Sequence, residues 1–443
     1  MFLSRLQFGL TIGFHYIFPQ LTIGLAWLIF WIMTRYLRTG REVYRVMARF
    51  WMKVFALGFA IGVATGIVME FEFGTNWANY SRFVGDIFGA PLAAEGVIAF
   101  FLESSFLGVM LFGWGRLSLK THWFASLMVA FGATLSAFWI VAANSWQQTP
   151  AGYEMIDGLP RLTSFAAAVF NPSTVIRYLH VIIGALISGS FFMLGISAWF
   201  LLKKKHLEFA KESARMALFI AMFFSVAQWV SGHSHAIQMG RTQPSKLAAA
   251  EGLWDTTANA PLLVFGFPLV SEERNLFEIR LPGLLSYTVF SSFDAKVKGL
   301  RDFNVEDRPP IYPTFFSFHV MVGLALYFLL FTIVGYVLWR RNSPEDTRRY
   351  LIAAVASIPL PIIANELGWF TTEIGRQPWI VYGLLRTSEG YSEAVPAAQI
   401  LASIILFTVV YSLLFALWIF LLRRTIGEGP EPLGEAQDAG VTS

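Results

Sequence analysis

"PLAAEGVIAFFLESSFLGVMLFG", residues 91–113, is an apolar run about long enough to cross a bilayer as a helix, and it contains two carboxylates, Glu95 and Glu103. Ionised carboxylates are costly at that depth and usually mark a site that handles charge. Eight residues apart on an α-helix, the two are offset by about 80° in rotation and about 12 Å in rise. They therefore read as two depths on one broad face, the arrangement a proton path needs.

The rest of the chain has the same character. Of 443 residues, 56% are hydrophobic and only 14% charged, too little polar surface for a soluble protein of this size. The fold expected is an all-α polytopic membrane protein with nine spans, at roughly 8–33, 50–71, 91–113, 124–142, 175–202, 214–231, 315–339, 351–370 and 397–421. The first apolar stretch is too long for a cleavable signal and lacks a basic n-region, so it reads as a helix that stays. No internal repeat is visible, which argues against inverted-repeat transporters. With no cysteine, disulfides, thiolate-held metals and Fe–S clusters are excluded. A net charge of +4 is too small to suggest nucleic acid.

Lys and Arg concentrate in alternate connections, after spans one, three, five, seven and nine, which together hold more than half of the 33 basic residues. By the positive-inside rule the N-terminus is expected outside and the C-terminus in the cytoplasm. The chain then divides into six helices over 1–231, an outer loop over 232–314, three helices over 315–421, and a tail over 422–443 whose Gly, Pro and acid content predicts disorder.

Among the intramembrane polar residues, His15, His180 and His319 stand with Met321. Imidazole and thioether are standard axial ligands of haem iron. His319 and Met321 are two apart, about 200° around a helix, so they cannot both face one iron. Both His180–Met321 and His180–His319 pairings remain open on spacing alone. In "IANELGWFTTEIGRQPW", Glu366 is the deeper carboxylate. Glu373, seven residues on and on nearly the same face, reads as an interfacial pair with Arg376. Glu70 and Glu72 add acids at the end of span two. Three function classes fit these features: an O2-reducing oxidase, a di-haem membrane cytochrome b that relays quinol electrons to a partner, and a proton-coupled transporter.

"SRLQFGLTIGFHYIF", "GVATGIVMEFEFGTNW", "GDIFGAPLAAEGVIAFFLESSF" and "GRQPW" closely resemble subunit I of cytochrome bd-type quinol oxidases, and the similarity runs from Ser4 to about Leu421. The resemblance implies a respiratory-chain enzyme of the bacterial cytoplasmic (inner) membrane that oxidises ubiquinol or menaquinol at the outer face. It reduces O2 to water with protons taken from the cytoplasm. It implies two haem b and one haem d, the third being b-type in one branch of the family. Partners implied are a homologous second subunit and small single-helix subunits. Carried over by motif, His180 and Met321 would ligate the low-spin haem b, His15 the haem d, and Glu366 the high-spin haem b, with Arg376 nearby. Glu95 would stand beside the high-spin haems, with Glu103, Ser104 and Ser136 on the proton route. Lys246 and Glu251 in "SKLAAAEGLWDT", with Gln243, would hold quinol; read without the resemblance, that stretch is a solvated amphipathic helix. The family often has Arg where this chain has His319. The outer loop is short, as in the often cyanide-insensitive branch. His233 and His235 in "SGHSHA" have no role from the resemblance and read as part of a polar loop.

Overall fold

The computed structural model describes residues 1–433, without the side chain of Glu70. Among the described residues, nine helices are long and apolar enough to cross a membrane. They are α1 (Phe2–Thr39), α2 (Glu42–Thr75), α3 (Ala78–Phe112), α4 (Leu119–Gln148), α5 (Thr174–Leu202), α6 (Leu207–Thr242), α8 (Ile311–Arg341), α9 (Arg348–Ile374) and α10 (Ala397–Glu428). A short helix, α7 (Pro244–Glu251), and a hairpin of strands β1 (Leu262–Leu269) and β2 (Arg274–Leu281) lie in the long connection between α6 and α8. That end of the bundle is called the loop end here, and the opposite end, with its short Lys/Arg-bearing connections, the basic end.

Local chemistry sets the boundaries. Helix α1 stops at Gly40, whose left-handed backbone sends its N–H to the Tyr36 carbonyl at 2.9 Å. Helix α4 starts under the Ser118 hydroxyl, which accepts from the Thr121 N–H. Helix α9 is broken over Ser357–Pro359, where proline lacks the N–H to continue the ladder.

All nine spans were placed, but the helices outrun the apolar runs that located them. Span six reaches Thr242 rather than 231, because its last turns bury Gln238, Met239 and Gly240 against protein, not lipid. His233 and His235 are therefore helical and not in a loop. Span three begins at Ala78, thirteen residues early, since Tyr80, Phe83, Val84, Ile87 and Phe88 form a buried helical stripe that hydropathy averaging dilutes with Arg82 and Asp86. Helix α10 continues to Glu428, so residues 422–428 of the expected tail are helical. Residues 434–443 of that tail lie outside the described residues.

Two backbones set the positions of the histidines. A Cβ on Gly24 of α1 would stand 2.2 Å from the Ala185 carbonyl oxygen, and one on Gly189 of α5 would stand 2.6 Å from the Gly24 carbonyl carbon. Small residues allow this approach, which holds α1 and α5 together where lipid offers no hydrophobic drive. Around them Phe18, Leu25, Trp51, Phe55, Phe191 and Phe209 form the buried centre.

Candidate functional site

Helix α3 widens into a π-helical turn over Glu95–Phe100. A π turn takes up about one extra residue, so the eight residues from Glu95 to Glu103 cover roughly the angle of seven, about 20° rather than 80°. Both carboxylates accordingly face one stripe of α4. The Glu95 Oε1 accepts from the Ser136 hydroxyl at 2.6 Å. One turn along, a Cβ on Gly132 would lie 3.0 Å from the Glu103 Cβ, so the helices touch there. Glu103 is buried. The Ser104 hydroxyl donates to the Phe100 carbonyl at 2.5 Å and so is turned onto its own helix.

His15 on α1 faces α2, with Nδ1 3.0 Å from the Thr65 hydroxyl. Gly66 leaves room for the ring, since a Cβ there would come within 3.2 Å of Cε1. The Thr65 hydroxyl thus fixes one ring nitrogen and the orientation of the ring. Glu366 on α9 lies against the other side of α1, 3.8 Å from where a Gly13 Cβ would be and 3.5 Å from the Gln20 amide. His15 and Glu366 thus flank α1 rather than face each other.

His180 on α5 is aimed at α6. Its Nδ1 lies 3.0 Å from the Ser231 hydroxyl, the Gln228 amide nitrogen is 3.1 Å from Nε2, and the ring packs edge-on against His235 with centroids 5.5 Å apart. The Gln228 carbonyl oxygen is buried without a partner. The Met321 sulfur on α8 faces α9, where Gly368 makes room; a Cβ there would be 3.0 Å away. His319 is differently placed. Its Nδ1 is 3.0 Å from the Phe315 carbonyl and its Nε2 2.9 Å from the Leu263 carbonyl. Both ring nitrogens are thus within hydrogen-bond distance of a backbone carbonyl, the one that carries the hydrogen donating. Of the two α8 donors left open by spacing, Met321 is the free one.

At the loop end, α7 is buried from Ser245 to Glu251, which overturns the solvated-helix reading of that stretch. Lys246 donates to the Gln148 side-chain oxygen at 2.5 Å and the Thr372 carbonyl at 3.0 Å, and the Gln243 amide donates to the Gln148 carbonyl at 3.0 Å. Glu251 leaves α7 on another side, towards the Leu263 N–H, with its Oε2 buried and unpartnered. Burial holds the Lys246 ammonium well below its ordinary pKa, with Arg177 and Arg376 adding repulsion. Burial pushes the Glu251 carboxyl up to about 8, against the opposing Leu263 hydrogen bond.

Beside Lys246 lies a network that the sequence reading only half found. Arg376 and Glu373 do pair, but inside the protein rather than at an interface, with Arg376 also donating to Gln147 at 3.0 Å. Asn144 donates to Glu373 at 2.9 Å, and Arg177 reaches Asn144 at 2.5 Å and Ser145 at 3.1 Å. The signal for Arg177 was present in "RYLH", three residues before His180, and that for Asn144, Gln147 and Gln148 in the polar end "NSWQQ" of span four.

Comparison with known proteins identifies the family. The family model described as cytochrome bd terminal oxidase subunit I matches residues 3–430. Cytochrome bd ubiquinol oxidase subunit 1 of Bacillus subtilis (strain 168) is 42% identical over 439 residues, covering 97% of this chain and 94% of the relative. Cytochrome bd-II ubiquinol oxidase subunit 1 of Escherichia coli (strain K12) is 36% identical, covering 98% of each chain. A chain in the structure of bd oxidase from Geobacillus thermodenitrificans superposes with a TM-score of 0.91 at 30% identity, covering 97% of this chain and 98% of that one. These matches set aside the transporter and the di-haem relay. With its spans, inward-facing histidines and paired acids accounted for, the chain belongs to the cytochrome bd terminal oxidase subunit I family.

Proposed function

We propose that this chain oxidises ubiquinol or menaquinol at the loop end, on the outer face of the bacterial cytoplasmic membrane, and reduces O2 to water with protons drawn from the basic end. The observation that carries the reading is the pair of acids on one stripe of α4, the half-buried Glu95 on Ser136 and the buried Glu103 on Gly132. An electron entering a low-dielectric site needs a nearby proton to offset its charge. Glu103 and Glu95 stand in series to supply it, with Ser136 orienting Glu95 and Ser104 beside Glu103.

His180 and Met321 would hold a low-spin haem b, and His15 a haem d or, in its place, a third haem b. A carboxylate of α9 would hold the high-spin haem b. Glu366 is the one assigned by the resemblance. Glu373 is the second reading, favoured by its place on the same face inside the buried network of Asn144 and Arg376. Bound haem supplies electron transfer and an open iron position for O2. The cations Arg376 and Arg177 outnumber Glu373 in that network, a charge balance suited to anionic propionates. A homologous second subunit and small single-helix subunits complete the complex.

Reduced-minus-oxidised and CO-difference spectra with haemochrome analysis of the purified complex test the reading. A low-spin b signal with a CO-sensitive high-spin haem is expected, and a complex without haem would overturn it. The same spectra divide the α9 carboxylates. Of Glu366→Ala and Glu373→Ala, the variant that removes the ligand loses the high-spin b signal, while the other keeps all three haems.

Glu251 makes the quinol site pH-dependent. Its raised pKa keeps it protonated at neutral pH, and it becomes a proton acceptor only as pH climbs towards about 8. The expected kcat/KM for quinol therefore rises with pH and flattens above about 8, while Glu251→Gln is slower and lacks that limb. Oxygen consumption from about pH 6 to 9 checks this. The same shift opposes folding: the unfolded chain releases this proton near 4.5, so burial of Glu251 destabilises the fold progressively as pH rises from about 4.5 to 8.

A further inference from the structure

The β1–β2 hairpin carries an apolar face that, among the described residues, no helix covers. Val264, Phe265, Phe277, Ile279 and Leu281 are all exposed, while Leu263, Gly266 and Pro268 face the protein. Phe277 is the extreme case, 80% exposed. It has a positive φ of 52° and lies where the strand register slips between the pairs Phe265–Ile279 and Phe267–Leu276. A bulky residue in the left-handed region is strained, and bulges re-aim side chains. Here strain turns a phenyl ring outward, which water would not reward.

The depth of the hairpin follows from its contacts with α8. The Phe267 ring packs on Tyr312 and Phe316, with centroids 6.1 and 5.6 Å away. At the other end of the strand, the Leu263 carbonyl lies 2.9 Å from the His319 Nε2. Tyr312 and His319 are seven residues apart, so β1 descends about 10 Å alongside the helix. The apolar run of α8 ends at Trp339, before Arg340 and Arg341. Twenty residues, about the 30 Å of a hydrocarbon core, counted back from Trp339 reach Val320. Leu263 is then level with the hydrocarbon border, and the hairpin occupies the headgroup layer above it. Its charges agree with this placement. Glu273, at the turn, is tied upward to Arg301 and Arg308, and Arg280 stands opposite Leu263 at headgroup level. Open strand edges are not tolerated deeper in hydrocarbon, whereas an interfacial element keeps them wet.

We propose that this hairpin is an interfacial membrane anchor, its apolar face resting in the headgroup–acyl boundary of the phospholipid leaflet at the loop end. The face is continuous with the exposed lipid side of α8 at Tyr312, Phe316 and Val320, which argues for lipid as the occupant. The chain has no cysteine, so single replacements label it at one place. Phe277→Cys, Phe265→Cys and Ile279→Cys would carry nitroxide labels in the full complex, reconstituted in phosphatidylethanolamine–phosphatidylglycerol vesicles with cysteines of any other subunit replaced. Glu272→Cys at the turn serves as the aqueous reference, and unchanged haem spectra show that the fold is kept. Power saturation is expected to give several-fold higher collision with O2 relative to nickel-EDDA at 265, 277 and 279 than at 272. Preferential collision with nickel-EDDA at those positions would overturn the anchor, as a water-exposed face. Shielding from both reagents would also overturn it, as a face covered by another protein chain.

Discussion

Replacing His180 by alanine is expected to abolish the low-spin haem b signal and lower quinol oxidation more than about 100-fold, beyond the 10–100-fold loss typical of disturbing a ligand's supporting shell. The ring is held from α6 by Ser231 and Gln228, so the vacated space stays lined by polar groups. Among the described residues, His235, its ring centroid 5.5 Å away, offers a substitute nitrogen. Dithionite-reduced spectra of H180A, set beside the H180A/H235A pair, check this. A residual b signal in the single variant that vanishes in the pair would mean His235 had taken over. An unchanged spectrum in both would remove His180 from the low-spin site. CO binding at the high-spin haem should survive in either, because His15 is held independently by α2.

Gly24→Leu is expected to be as damaging by a different route. The new Cβ would lie 2.2 Å from the Ala185 carbonyl oxygen, a backbone atom that cannot swing aside as a side chain could. Relief requires α1 and α5 to part by more than about 1 Å, which breaks the close packing on which cores depend. Overpacking of this kind costs about 1–3 kcal/mol or more. It also separates the helix that carries His15 from the one that carries His180. Expected outcomes are poor recovery of haem-loaded complex and a lowered melting temperature, followed by haem absorbance on heating. Gly24→Ala should show the same defect more weakly. Gly9→Ala, with nothing within 4 Å of the new methyl, should be close to neutral.

How much of this was legible in the sequence depended on which surface a residue faces. Spans were readable where their side chains meet lipid, because lipid rewards apolarity at every position. Their ends were not, because the last turns of α6 and the first of α3 bury mixed residues against protein. Hydropathy cannot distinguish Gln238 in a packed helix from glutamine in a loop. The same limit hid α7: "SKLAAAEG" has the composition of a solvated helix, and only the loops folded over it make it interior. The assignments of His15, His180, Met321 and the acids came through motif resemblance. Geometry then added what spacing lacked, above all the two carbonyls that occupy His319 and leave Met321 as the free donor. Arg177 went unremarked because a single arginine at a helix start reads as an interfacial charge, although here it joins a buried network.

The π turn at Glu95 makes the proposed proton path sensitive to length as well as to composition. It stores one residue more than an α-helix would hold, and that surplus keeps Glu95 and Glu103 on the same stripe of α4. Removing one residue between 96 and 100 would let the segment relax to a uniform α-helix with the acids seven apart, still about 20° from each other, whereas inserting one would put them out of step. With one residue inserted, Glu95 would rotate by about 100° relative to Glu103 and leave Ser136. The composition of the segment would hardly change, yet the wire would be cut: in this segment the count of residues, more than their identity, encodes the connection.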